Sequence, residues 1–399
     1  MRAIAVRCAA QGALLIACAA TSLSGQESTT PHWYDRLTFR GYAQLRYNRL
    51  LETNEKLACS TCDRSIGEDG GFLLRRARLA ITGEISDRVS VAIQPDFASE
   101  VGGRQNTLVL RHYYADIVLD QAKTLRARIG QSEVPVGFEA LQSSSRRGPL
   151  DRADAIESLA PGEQDLGIFV FWTPPAARER FRRLATNQFK GTGDYGVVAV
   201  GVYNGQGGNR AEANDAPHVV ARVTYPFLAG GTQFMELGAA AYAGTYTVTD
   251  AQRTSGVVGD PDIDDHRASA SLVIYPQPLG LEAEWMVGRG PRYDASESAI
   301  IEGPQRGGYA MISYVIAGRG ESRLTAYARA QYFTGAFKTE ADARSSVVRE
   351  YEPGIEWTIE PALELTAAYA IADRHYRDGE DPDNRQRGRF LRLQAQVSF

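Results

Sequence analysis

No stretch of this 399-residue chain stays apolar for the roughly 18–20 residues that a membrane-crossing helix needs. Lysine is scarce: only Lys56, Lys123, Lys190 and Lys338 occur, so nearly all of the 44 basic residues are arginine. The 48 acidic residues outnumber them, and the formal net charge is -4. That balance excludes the broad basic field of a nucleic-acid binder. The 5 histidines (His32, His112, His218, His266 and His375) are scattered. There is no GxSxG elbow, Walker loop or HExxH zinc motif, so catalytic and metal-binding classes gain no support and no cofactor is expected. Asp260, Asp262, Asp264 and Asp265 lack the Gly and Glu of a calcium loop and read as a solvated outer loop. Cysteine is also sparse. Cys59 and Cys62 form a lone CxxC, which fits a redox pair, half a zinc site or a local disulfide; in an exported chain the disulfide is the favoured reading.

What the chain does have is alternation. Phe399, Val397, Ala395, Leu393 and Leu391 share one face of a strand, and Ser398, Gln396, Gln394 and Arg392 share the other. Phe39, Ala43, Leu45 and Tyr47 oppose Arg40, Tyr42, Gln44 and Arg46 in the same way. Sixteen such strands are expected, starting near Leu37, Phe72, Arg88, Leu108, Leu125, Leu166, Tyr195, His218, Phe234, Arg267, Leu279, Gly308, Arg323, Val347, Ala362 and Gly388. A soluble sheet would hide its apolar face under another layer, and no such layer is evident. The mean hydropathy of -0.30 is compatible with a barrel in which only every second strand residue meets lipid. The predicted fold class is therefore all-β, a transmembrane antiparallel β-barrel. An outer-membrane barrel enzyme and a secreted soluble β-protein are the alternatives.

The connections carry a second pattern. Odd-numbered ones are expected to be long (49–70, 99–107, 131–164, 204–217, 247–266, 289–307, 334–346, 372–387), and even-numbered ones short, as in outer-membrane barrels. The segment 173–194 breaks the rule, being long and basic; it is either an insertion or a sign of a miscounted strand. Trp172, Tyr225, Tyr275, Trp357 and Phe399 fall at one set of strand ends, and Tyr47, Tyr203 and Tyr332 near the other, where interfacial girdles are expected. At the N-terminus Arg2, Arg7 and the apolar run Ala13–Ala20 read as a signal peptide, residues 1–25, cleaved between 19 and 25. Residues 26–399 would then form a single barrel domain. Leu15-Ile16-Ala17-Cys18 also resembles a lipoprotein box, with acylation at Cys18 as the rival reading.

Several segments resemble the phosphate-selective porin O and P family. They are Phe72-Leu73-Leu74-Arg75-Arg76-Ala77-Arg78-Leu79 with Gly83-Glu84, Tyr114-Ala115-Asp116, Arg128-Ile129-Gly130-Gln131 with Pro135-Val136-Gly137-Phe138, Ala160-Pro161-Gly162 with Asp165-Leu166-Gly167, and Val202-Tyr203-Asn204-Gly205. Beyond these the match is looser, resting on Pro353-Gly354-Ile355-Glu356-Trp357 and the last strand. The resemblance implies a Gram-negative outer-membrane barrel, a homotrimer among lipid and lipopolysaccharide, passing small hydrophilic solutes by diffusion. It also implies that the third long loop, 131–164, folds into the lumen and narrows it.

With the polar faces inward, Arg40, Arg46, Arg76, Arg78, Arg126 and Arg128 would line one side of the pore, joined by Arg222, Arg329 and Arg392. Glu282, Glu284, Glu350 and Glu352 would line the other, with Glu356 and Glu364; Glu84, Asp116 and Glu236 complete the acids. A basic wall thus opposes an acidic one, and the balance predicts weak rather than strong ion selection. Within the third loop, Arg146, Arg147 and Arg152 are the candidate contacts for permeating anions, phosphate included, amid Glu133, Glu139, Asp151, Asp154, Glu157 and Glu163.

Overall fold

The computed structural model describes residues 33–53, 70–101, 104–159, 164–379 and 384–399. The signal-peptide segment, Cys18, the Cys59–Cys62 pair, Ala160–Pro161–Gly162 and Glu163 lie outside the described residues. Sixteen strands follow one another: β1 (Leu37–Thr53), β2 (Gly71–Glu84), β3 (Val89–Val101), β4 (Arg104–Val118), β5 (Leu125–Glu133), β6 (Gln164–Trp172), β7 (Val198–Tyr203) and β8 (His218–Ala229). The second half comprises β9 (Gln233–Thr247), β10 (Asp262–Ile274), β11 (Leu279–Asp294), β12 (Ala299–Arg319), β13 (Ser322–Ala336), β14 (Ser345–Glu360), β15 (Leu363–Tyr376) and β16 (Arg385–Ser398). Each strand pairs with its sequence neighbours, and β1 pairs antiparallel with β16, for instance Gln44 opposite Gln396. The ring is therefore closed. Closure leaves no strand edge in hydrocarbon, where each unpaired backbone group costs on the order of several kcal/mol.

Burial runs opposite to that of a soluble sheet. Along β8, Val219 and Val223 are 52% and 51% exposed, while Arg222 between them is 4% exposed. The same holds on β16, where Leu393 and Val397 face out and Arg392 is fully covered. An outward apolar face with an inward charged face is the pattern that lipid outside and polar groups inside would select.

Several expectations need correction. The connections after β3 and β11 are short, because β3 runs to Val101, β4 starts at Arg104, β11 runs to Asp294 and β12 starts at Ala299. The ladders extend past the apolar belt, where both faces are polar and alternation carries no signal. The strand count was right; the irregular segment 173–194 holds a helix, α2 (Pro175–Thr186), and a shorter helix, α1 (Asp154–Leu159), lies in the third long loop. Tyr275 and Tyr203 are not girdle residues. Both point inward, with Tyr275 donating to Glu236 (3.0 Å) and Tyr203 packed on Phe169 and His218. Asp262, Asp264 and Asp265 belong to β10 rather than to a solvated loop, and Asp265 is fully buried.

Candidate pore constriction

The connection between β5 and β6 is held by inward side chains from around the ring. It opens with Val134-Pro135-Val136-Gly137. Gly137 has φ +73°, and a Cβ there would stand 2.6 Å from Oε1 of Glu284. Its absence lets that β11 carboxylate accept from the backbone N–H groups of Phe138 (2.9 Å) and Glu139 (3.0 Å). On the β1–β16 side, Gln44 donates to the Ser144 carbonyl (3.0 Å) and Gln396 to the Ser145 carbonyl (3.2 Å). On β13, Arg329 donates to Glu139 (3.2 Å) and to the Asp151 carbonyl (2.7 Å). From β10, Arg267 reaches the Ser158 carbonyl at 3.1 Å, and from β15 Arg374 reaches Asp154 at 3.1 Å.

Asp151 is the centre of these anchors. Its carboxylate accepts from Arg46 of β1 (2.8 Å), Arg392 of β16 (2.5 Å) and Arg75 of β2 (3.3 Å). Burial pushes this carboxyl up, but Arg46, Arg75, Arg392 and Arg76 outweigh burial and hold it well below the usual carboxylate range. Glu139, in the same loop, goes the other way: burial exceeds the pull of Arg329 and Arg147 and raises it.

The three loop arginines have different fates. Arg146 is exposed and lines a cavity of ≈ 440 Å³. Arg147 is buried, and its guanidinium nitrogens have no hydrogen-bond partner among the described residues. Arg152 turns back into its own loop, donating to the carbonyls of Glu139 (3.0 Å), Ala140 (3.2 Å) and Gln142 (3.1 Å), and does not line the cavity.

The cavity brings together Arg40, Arg78, Arg146, Lys190 and Arg323 with Glu282, Glu356 and Glu364; β15, which carries Glu364, is separated from β1, which carries Arg40, only by β16. Most of the other arginines on the basic side are already engaged. Arg78 pairs with Asp96 (2.7 Å), Arg126 and Arg128 pair with Asp116 (3.1 and 2.8 Å), and Arg76 donates to Gln44 (2.9 Å). Arg40 and Arg146 form no ion pair with a described residue. Of the acids, Glu352 pairs with Arg392 (2.7 Å), Glu350 accepts from Gln331 (2.9 Å), and Glu282 accepts from Tyr309 (2.6 Å).

One contributor escaped the sequence reading. In α2, Pro175 stands at the first helical position, and Ala177, Phe181 and Leu184 are buried at helical spacing. They pack with Phe138 of the third loop and with Phe234, Val273 and Tyr275 of the wall. Just beyond the helix, Lys190 lines the cavity. Its ammonium donates to the Arg147 carbonyl (3.1 Å) and ion-pairs with Glu356 and, at 3.5 Å, Glu364. Burial would lower this ammonium, but the two carboxylates outweigh it and raise it above the usual lysine value. The i, i+4, i+7 spacing was the available signal.

A second missed cluster surrounds Asp265. It accepts from Arg267 (2.9 Å), Tyr242 (2.9 Å) and Lys338 (2.7 Å), tying the 337–344 connection to the wall. Among the described residues no group of three or more potential ligands suited to a metal is present.

A family profile described as phosphate-selective porin O and P matches residues 59–399. A comparison with curated protein sequences gave no match. Among solved structures, the outer membrane channel DcaP of Acinetobacter baumannii aligns with a TM-score of 0.56 at 15% identity, over 91% of this chain and 97% of that one. OmpF of Salmonella typhi, in complex with daunomycin, gives 0.56 at 12% identity over 91% and 97%. An anion-selective porin from Comamonas acidovorans gives 0.53 at 10% over 91% and 99%. At such identities the structures speak for the fold, a sixteen-stranded porin barrel, while the profile covers most of the sequence. The chain thus belongs to the phosphate-selective porin O and P family of Gram-negative outer-membrane barrels.

Proposed function

We propose that the barrel conducts small hydrophilic solutes passively, with a modest preference for anions such as phosphate, and that it performs no catalysis. The third loop lies across the lumen in this reading, and it and the Lys190 segment narrow the path together. The observation that carries the preference is the pair of unpaired guanidinium groups, Arg40 and Arg146, on a cavity whose facing carboxylates are partly neutralised by Lys190. Arg147 backs this site, and Arg152 shapes the loop. Residues 1–25 act as a signal peptide, residues 26–399 form one domain, Cys59 and Cys62 form a local disulfide, and three copies assemble. One similar structure is described as a trimer form of an outer membrane protein of Vibrio cholerae, which supports the last point.

Reversal potentials in a planar bilayer under a KCl gradient test the reading. A mildly anion-selective channel is expected, with selectivity moving toward cations in Arg146→Glu. A strongly cation-selective wild type, or a substitution with no effect, overturns the assignment. Inorganic phosphate should reduce chloride current at millimolar levels in the wild type and less so in the variant.

A further inference from the structure

Exposed arginines stand on the outward face of one stretch of the wall. Near the end with the longer connections, Arg289 of β11 stands in a row of paired residues whose outward members on β9, β8, β7 and β6 are Ala243, Val219, Val202 and Ile168. Going the other way round the ring, cations accumulate: Arg306 on β12, Arg349 on β14 and Arg387 on β16 are all exposed. Arg289 is paired with Glu302, and Arg387 with Asp373 (3.4 Å). Arg306 and Arg349 form no ion pair with a described residue. Arg349 instead lies 5.8 Å from the ring centre of Tyr332.

Beside Arg349 the surface is hollow. Trp285, Gly308, Tyr332 and Arg349 form one row across β11–β14. Gly308 has no side chain, and a Cβ there would stand 2.9 Å from the Trp285 ring. Trp285 therefore lies close over it, nearly parallel to Tyr332 (5°, centroids 6.3 Å apart). The next row toward the opposite end is Ala283, Ala310, Ala330 and Tyr351. The result is a groove of ≈ 690 Å³ with an alanine floor, aromatic ridges and the Arg349 guanidinium at its outer end; Arg306 stands two residues further out than Gly308 on β12, outside the lining. The groove's size lies within the roughly 300–1,000 Å³ of pockets that hold small ligands.

We propose that this groove and the pair Arg306–Arg349 bind a phosphate-bearing acylated glycolipid of the outer leaflet. Trp and Tyr rings mark the level where hydrocarbon gives way to head groups. An acyl chain lies along the alanines below that level. The phosphate above it meets two guanidinium groups, which suit its geometry better than ammonium groups do. A second copy of the chain fits less well. The outward carboxylates nearest the groove, Glu302 and Asp373, are already held by Arg289 and by Arg385 and Arg387, so a partner barrel offers no spare anion from these rows. The inference rests on placement in an outer membrane and is independent of which solute the pore prefers.

The test uses the full-length protein in detergent with diphosphoryl lipid A in the micelle, read by native mass spectrometry. Lipid binding is expected for the wild type. It should weaken about thirtyfold in the double variant Arg306→Ala/Arg349→Ala, from roughly fivefold per arginine near an anionic lipid surface. Ala310→Phe fills the groove and keeps both charges, and it should weaken binding too. Retention of the heat-dependent gel shift shows that each variant is folded. Equal binding by all three proteins, equal binding of dephosphorylated lipid A, or displacement by millimolar inorganic phosphate overturns the proposal. So does a change in oligomer mass in the variants, which would assign the face to a second copy.

Discussion

Lys190 offers the sharpest handle on the pore. Replacing it by Met keeps the length and apolar stem of the side chain but removes the charge facing Glu356 and Glu364. Lys190 lines the cavity and its side chain is 29% exposed, so an ion passing through comes close to it. A unit charge about 4 Å from such an ion acts with about 1 kcal/mol at the dielectric constant of water. A Debye length of about 8 Å trims this to about 0.6 kcal/mol. The effect is opposite for cation and anion, so losing the charge shifts their difference by about 1.2 kcal/mol, or roughly sevenfold in permeability ratio toward cations. The assay is the zero-current potential across a planar bilayer with about tenfold KCl asymmetry, comparing wild type, Lys190→Met and Lys190→Arg. The arginine variant should stay near wild type. An unchanged potential in Lys190→Met would remove the 173–197 segment from the ion path, and a shift toward anions would refute the electrostatic argument altogether.

Two further outcomes follow from the loop anchors. Asp151 has its carboxyl depressed in the folded state, so its contribution is present above the unfolded value of about 3.9 and is lost as pH falls through the folded one. The Asp151 part of any acid-induced rise in single-channel conductance should therefore lie below about pH 4 and be missing in Asp151→Asn, which should be raised already at pH 7; a rise above pH 4 belongs to the raised carboxyl of Glu139, and a wild-type response below pH 4 that persists unchanged in Asp151→Asn would contradict the assignment. Arg329 bonds Glu139 and lies 3.6 and 3.7 Å from Glu350 and Glu352. Arg329→Met takes its bound cation from buried Glu139, while Glu352 keeps Arg392; removing one partner of a buried pair costs about 3–5 kcal/mol, so the gel-shift temperature should drop measurably, and an unchanged temperature counts against the anchor.

The barrel itself was readable because period-two alternation is a local property. Val219, Ala221 and Val223 against Val220, Arg222 and Thr224 announce both a strand and its two environments within six residues. The same parity puts Arg46, Arg78, Glu284 and Glu352 on the covered faces of their strands, since a one-residue slip would turn them outward. It could also have placed Tyr203 and Tyr275, had position along the strand not been given more weight than face. Connections obey no such period. That Arg152 would hook three carbonyls of its own loop depends on how residues 139–152 fold back, which no spacing encodes. α2 does have a period, but its arginines mark a charged segment more plainly than Ala177, Phe181 and Leu184 mark a buried face.

Asp151 joins guanidinium groups from the two strands that are farthest apart in the chain. Arg46 belongs to β1 and Arg392 to β16, and these strands become neighbours only when the last stave docks against the first. Before that moment the carboxylate has β1 and β2 on one side and nothing from β16 on the other. The loop's seat is therefore completed by the act of ring closure. An unfinished sheet holds the loop by fewer anchors than the finished ring does. Closing the ring and fixing the loop are one event.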